Sequence, residues 1–394
     1  MRTTKLALSA IGLCASIAQA NELLDNFSVD FNAHLNMAAG DSSLKDTAAL
    51  ATHAHDPNDH FTLQGIELSA SARYGQHLQG FISGLGFYNE NNEFDGEIEE
   101  VFAKFVELPG GFEARGGRML ARVGSQNNQH MHSWDFVDAN LITTRFLGDE
   151  GLISEGGELS WWLPFEHKSL FSVGYSNALA HGHGHSEEEE GHDEHDEEEG
   201  HDDEHEEHIE GENALLQDEI INFRLKGIYQ FNDFRSLTYG ASYLTGKNGF
   251  KERGHVIGTD FTYLWRENGF EPKGNHVRAI IEPIYRTFDF KSDDGDVKGS
   301  ASEWGIHSSV GYGFLDDWEL GARYDYTQGV DEPIEGLGRR HRTSLALTRG
   351  FDLSEIFKGH ARLQYNYDRL EESQSENSIW LQVQLDLGKG GEIR

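Results

Sequence analysis

The sequence holds one cysteine, Cys14, and it lies within the first twenty residues, MRTTKLALSAIGLCASIAQA. Arg2 and Lys5 open that stretch, Leu6 to Ile17 are mostly apolar, and Ala18-Gln19-Ala20 offers small residues for cleavage. Residues 1–20 therefore read as a secretory signal peptide, so the chain is expected to be exported as residues 21–394. With Cys14 removed, disulfides, thiolate metal sites and cysteine catalysis are excluded. Beyond the signal no apolar run reaches the roughly eighteen residues of a membrane-spanning helix. Basic charge is also scarce: 32 Lys and Arg face 68 Asp and Glu, a formal charge of −36 that becomes −38 without Arg2 and Lys5. Such a surface argues against nucleic acid as a partner and favours cations. Enzymatic signatures are missing too. No Gly-x-Ser-x-Gly stretch occurs, and Ser133 beside His132 would point to the opposite side of an extended chain. A non-enzymatic role with no required cofactor is the expectation.

What the chain does contain is alternation. Phe27, Val29, Phe31, Ala33 and Leu35 alternate with Ser28, Asp30, Asn32 and His34. Near the other end Leu381, Val383, Leu385 and Leu387 alternate with Gln382, Gln384 and Asp386. Period two marks strands with one apolar and one polar face. About sixteen such segments follow one another. Their connections are informative, because short links such as Gly75-Gln76, Pro109-Gly110 and Asp316-Asp317 take turns with long polar ones such as 37–60, 125–156 and 179–217. A soluble sandwich would need an apolar interior, whereas the polar faces here carry Gln, Arg, Glu and Asp. Aromatics near segment ends (Trp161, Trp162, Trp265, Trp304, Trp318 and Trp380) suit interfacial girdles. The expected fold class is all-β: a transmembrane antiparallel β-barrel of about sixteen strands in a bacterial outer membrane, bathed in its lipid. Sixteen strands leave an aqueous lumen.

The stretch 102–164, FAKFVELPGGFEARGGRMLARVGSQNNQHMHSWDFVDANLITTRFLGDEGLISEGGELSWWLP, resembles the porins of the phosphate-selective type. Those proteins show a strand, a glycine turn, a strand ending "GR…VG…N", and a loop closing "G(D/E)EGL…GxEL". The resemblance implies a sixteen-stranded porin, often a homotrimer, with 125–156 as a constriction loop folded into the channel. Arg145 is the sole Lys or Arg from 125 to 156, so the lysine-based phosphate selectivity of those porins is not implied. The insert at 179–217 is similar to the His- and Asp-rich external loops of TonB-dependent zinc receptors. Those receptors carry an N-terminal plug, and strand pattern beginning near Phe27 leaves no room for a plug domain here.

Within the insert, 181–208 reads HGHGHSEEEEGHDEHDEEEGHDDEHEEH, with eight histidines, fifteen carboxylates and no Lys or Arg. By the parity of the connections it would lie outside the cell. His181, His183 and His185 alternate with glycine; His192 and His195 follow; His201, His205 and His208 would share one helical face. Neutral imidazoles beside carboxylates are ligands for Zn²⁺, Ni²⁺ or Cu²⁺. Two smaller clusters have the same chemistry: His53, His55 and His60 with Asp56 and Asp59, and His130 and His132 with Asp135. The expected function is a porin-like channel that aids uptake of a divalent transition metal, zinc first, captured by the external insert. A barrel that serves as scaffold for metal buffering or partner binding stays open at this point. So does a general or anion porin with an incidental insert, for which Arg278, Arg286, Arg323, Arg339, Arg340 and Arg342 could supply a basic ladder.

Overall fold

The computed structural model describes residues 26–44, 50–53, 55–58, 60–88, 94–179, 209–271, 274–292, 295, 297–330, 333–370 and 374–388. Among the described residues the first strands are β1 (Phe27–Ser42), β2 (Phe61–Tyr74), β3 (Leu78–Tyr88), β4 (Phe94–Leu108) and β5 (Phe112–Leu120). A short helix, α1 (Leu141–Leu147), precedes β6 (Ile153–Leu163), β7 (Ser169–Ala178) and the two-residue β8 (Ile209–Glu210). Then come β9 (Leu216–Asn232), β10 (Arg235–Asn248), β11 (Arg253–Arg266), β12 (His276–Lys291), β13 (Lys298–Phe314) and β14 (Trp318–Thr327). The two-residue β15 (Ile334–Glu335) leads to β16 (Arg340–Asp352), β17 (Phe357–Leu370) and β18 (Gln374–Gly388). All except β8 and β15 form one closed antiparallel barrel of sixteen strands, with β1 paired to both β2 and β18.

The strands fall where the alternation places them, and their burial is inverted relative to a soluble sheet. Along β17, Arg362, Gln364, Asn366 and Asp368 are buried, while Leu363, Tyr365 and Tyr367 between them are exposed. Phe31, Leu68, Ile82, Phe105 and Leu159 likewise point outward on their strands. An apolar exterior around a polar interior is what a barrel in lipid requires, because closure pairs every strand edge. One rim carries the tight turns; at the β4–β5 turn Gly110 and Gly111 both have φ of +83°, a conformation a side chain would strain. The other rim carries the long connections. There β8 and β15 pair in parallel, and Ile209, Ala214, Ile334 and Leu337 pack against Phe250, Phe288 and Phe290.

Two expectations about the faces need correction. Trp161, Trp162 and Trp304 are exposed on the outer surface, but Trp380 is buried inside against Ala38 and Val137. The lumen is also not uniformly polar. Leu216, Ile220, Leu244, Val256 and Ile284 line one inner patch, and Ile142, Phe146 and Leu147 of α1 pack onto it. Apolar residues on an inner face are stable when another segment covers them, and alternation alone says nothing of that cover.

Candidate functional site: the lumen wall and the inward segment

Residues 121–152 leave β5, cross the barrel interior and return at β6. Gly124 makes the entry turn with φ of +61°, and a Cβ there would collide with the Glu282 carboxylate. Glu282 accepts from the Ser125 backbone N–H at 2.8 Å and the Ser125 hydroxyl at 2.7 Å. Farther on, Gln364 accepts from Val137 N–H at 2.8 Å, and Asp56 of the first long connection accepts from Ala139 N–H at 2.8 Å. Asn140 caps α1, its side chain accepting from Thr143 N–H at 2.9 Å. Arg145, near the end of α1, pairs with Glu303 of β13 at 2.9 Å.

Asp138 is the central anchor. It accepts from Arg323 at 2.6 Å, Arg342 at 2.8 Å, Gln364 at 2.7 Å and Asn366 at 2.8 Å, gathering β14, β16 and β17. Burial opposes its ionisation, yet the Arg323 and Arg342 guanidiniums prevail and hold it down at about 2. Nothing in the sequence around Asp138 distinguishes it from any loop aspartate, because its partners lie more than 180 residues away.

Of the six inward-facing arginine candidates, five are accounted for by carboxylates or by the segment. Arg286 pairs with Glu303, Arg323 and Arg342 with Asp138, Arg340 and Arg342 with Asp368, and Arg278 with Asp135. Arg339 is exposed.

The neighbouring stretch of wall, running from β18 through β1 and β2 to β4, carries imidazoles and carboxylates. His55, from the first long connection, places Nε2 at 3.6 Å from both Glu97 of β4 and Glu150 of the inward segment. Deeper in, His130 Nδ1 lies 3.3 Å from Glu99 Oε1 and 3.8 Å from Glu67 Oε1, while its Nε2 lies 2.8 Å from Glu100 Oε2. His132 contacts Glu67 at 2.8 Å and stacks on His34 at a centroid distance of 3.8 Å. His34 in turn meets Asp386 at 2.7 Å. Glu97 is near the long-connection end of β4 and Asp386 near the tight-turn end of β18, so these contacts run down most of the wall. Burial disfavours charge on His55, but Glu150 and Glu97 outweigh it and lift the imidazole from 6.5 to about 9. The same contest, with Glu99, Glu67 and Glu100 as partners, raises His130 well above its ordinary value.

The candidate metal residues thus separate. His53 is buried with its ring edge-on to Trp134, and its Nδ1 accepts from His55 N–H at 3.2 Å. Asp56 spends its carboxylate on the backbone N–H groups of Thr52, His53 and Ala139. His60 is exposed at the rim, 3.6 Å from Asp41. Asp135, grouped by sequence with His130 and His132, instead pairs with Arg278. The carboxylates that meet these histidines, Glu67, Glu97, Glu99, Glu100 and Glu150, went unnoticed because they sit on other strands or at the far end of the loop. His181, His183, His185, His192, His195, His201, His205, His208 and Asp59 lie outside the described residues.

Solved structures share this architecture. The anion-selective porin from Comamonas acidovorans is 12% identical, with 92% of this chain and 100% of that one aligned at a TM-score of 0.52. The chain has the fold of an outer-membrane porin. The outer membrane channel DcaP of Acinetobacter baumannii is 7% identical over 92% of this chain and 97% of its own, at a TM-score of 0.55. OmpT of Vibrio cholerae in its trimer form is 11% identical over 91% and 99%, at 0.50. No protein-family model matches the chain. An uncharacterized protein of Aquifex aeolicus (strain VF5) is 37% identical over 133 residues, a stretch covering 32% of this chain and 27% of that relative.

Proposed function

We propose that this porin-fold barrel is a bacterial outer-membrane channel that admits divalent transition-metal ions, Zn²⁺ foremost. The observation that carries the reading is the file of imidazoles and carboxylates from His55 to Asp386 along one lumen wall. The guanidiniums of Arg286, Arg323 and Arg342, on β12, β14 and β16, are occupied by carboxylates of the barrel and of the inward segment, which leaves less free positive charge to draw anions. In this reading 125–156 forms the constriction, and the external insert 179–217 gathers the ions. Its carboxylates concentrate cations at the mouth, and its histidines favour transition metals over Mg²⁺. Flow is passive, so binding along the path must be weak and multi-site for ions to leave. Assembly as a homotrimer in the lipid bilayer belongs to the same proposal.

Single-channel conductance in planar bilayers tests it. With micromolar Zn²⁺ on the insert side, open channels whose current responds to zinc only when 181–208 is present support the proposal. Open channels indifferent to zinc would leave a general porin with an incidental insert, and absence of channels would leave a scaffold.

A further inference from the structure

We infer that the cavity between the lumen wall and the inward segment is a divalent transition-metal site with two ligand sets, His55, Glu97 and Glu150 in one and Glu67, Glu99 and His130 in the other. The inference deepens the channel reading and rests on it for its role, since it makes this cavity a stopping point on the ion's path. Within each set the ligand atoms lie within 4.8 Å of one another. His55, Glu97 and Glu150 of the first set and Glu99 and His130 of the second line one cavity of about 20 Å³, and Glu67 joins the second set at 3.8 Å from His130 Nδ1. Roughly 10–15 Å³ is enough for a water-sized occupant.

Spacing separates a metal site from an ordinary hydrogen-bonded cluster. Tetrahedral Zn²⁺ with bonds of roughly 2.0–2.1 Å holds its ligand atoms about 3.3–3.4 Å apart. The wall offers 3.6 Å from His55 Nε2 to both carboxylates of its set, and 3.3 and 3.8 Å from His130 Nδ1 to Glu99 and Glu67. Charge-assisted hydrogen bonds close to about 2.7–2.9 Å, as the other edge of the same ring does with Glu100 at 2.8 Å. That second contact is how a metal-binding histidine is usually held, with one nitrogen on a carboxylate and the other turned to the ion.

Four polar atoms of the two sets are also left over. His55 Nε2, His130 Nδ1, Glu67 Oε1 and Glu99 Oε2 are buried and make no hydrogen bond. The side chains of His55, His130 and Glu67 are only 4%, 1% and 1% exposed. Buried polar atoms without partners are costly. Three of these belong to residues lining one cavity, His55, Glu99 and His130, and Glu67 Oε1 stands 3.8 Å from His130 Nδ1, a grouping that calls for a cation. Three protein ligands per ion leave a fourth position for water, which keeps the ion exchangeable. The ligands come from the first long connection, from β2 and β4, and from the inward segment. A bound ion therefore fastens that segment to the wall, and metal should stabilise the protein.

The test uses the full chain with the eight insert histidines replaced by glutamine, so that the insert does not mask the lumen. Zn²⁺ binding is measured by competition with a chromophoric chelator, and Co²⁺ binding by its visible absorption. The expected result is two Zn²⁺ per chain, one lost in His55→Asn and one in His130→Asn, each with affinity weakened more than about 100-fold. Zn²⁺ should also raise the melting temperature of the parent and do so less in each variant. If His130→Asn does not fold, Glu99→Gln reads the same set. A parent that binds zinc no better than both variants overturns the inference. Channels that pass zinc without such binding would sink the site alone, whereas zinc binding by a protein that forms no channels would sink the channel reading alone.

Discussion

Replacing Asp138 by asparagine removes one negative charge from between Arg323 and Arg342 while nearly preserving its shape. The carboxylate is held at about 2 against an ordinary 3.8, and each tenfold in proton affinity is about 1.4 kcal/mol, so ionisation of Asp138 contributes about 2 kcal/mol. Asparagine leaves Arg342 with Asp368 at 2.9 Å and Arg323 with Asp325 at 3.4 Å, so the loss stays below the roughly 3–5 kcal/mol of a buried charge stripped of every partner. The loss falls on the attachment of the inward segment, because Asp138 is where β14, β16 and β17 grip it. Single-channel conductance should therefore rise and become noisier in Asp138→Asn, and the unfolding midpoint in urea should fall. The sign of the pH effect follows from the lowered value. The stabilisation is complete above about pH 4 and is lost as pH falls through about 2. The difference in conductance between wild type and variant should accordingly close between pH 4 and 2, while Asp56 and Glu282 hold the segment alike in both proteins. Equal conductance and equal stability at pH 7 would refute the view that Asp138 anchors the segment.

Gly124→Ala should destabilise by about 1–3 kcal/mol, since it forces a Cβ at φ of +61° into Glu282; an unchanged urea midpoint would show that the entry turn is adaptable. Leu68→Arg should cost about 2–4 kcal/mol on refolding into liposomes, because Leu68 is 59% exposed on the outer face. Arginine tolerated there without loss would contradict the lipid-facing assignment.

The sixteen strands, their inside-out polarity and the two unequal rims were legible in the sequence. Each rests on short-range rules: side chains alternate along a strand, and glycine or asparagine marks a tight turn. The anchors of 121–152, among them Glu282, Asp325, Arg342 and Gln364, were not legible, because they lie on strands far along the chain. His130 illustrates the difference. Its sequence neighbours suggested Asp135 as a partner, but Asp135 turns to Arg278 while His130 meets Glu67, Glu99 and Glu100. Barrel closure brings β2 and β4 alongside the inward segment, and no local pattern records which polar residue will stand opposite which. Alternation, composition and turn chemistry belong to the sequence by itself, since they depend on residues a few positions apart. The anchoring of the segment, the apolar patch under α1 and the convergence of the buried histidines on particular glutamates were decided by tertiary structure, because each needs residues that only the closed barrel makes neighbours.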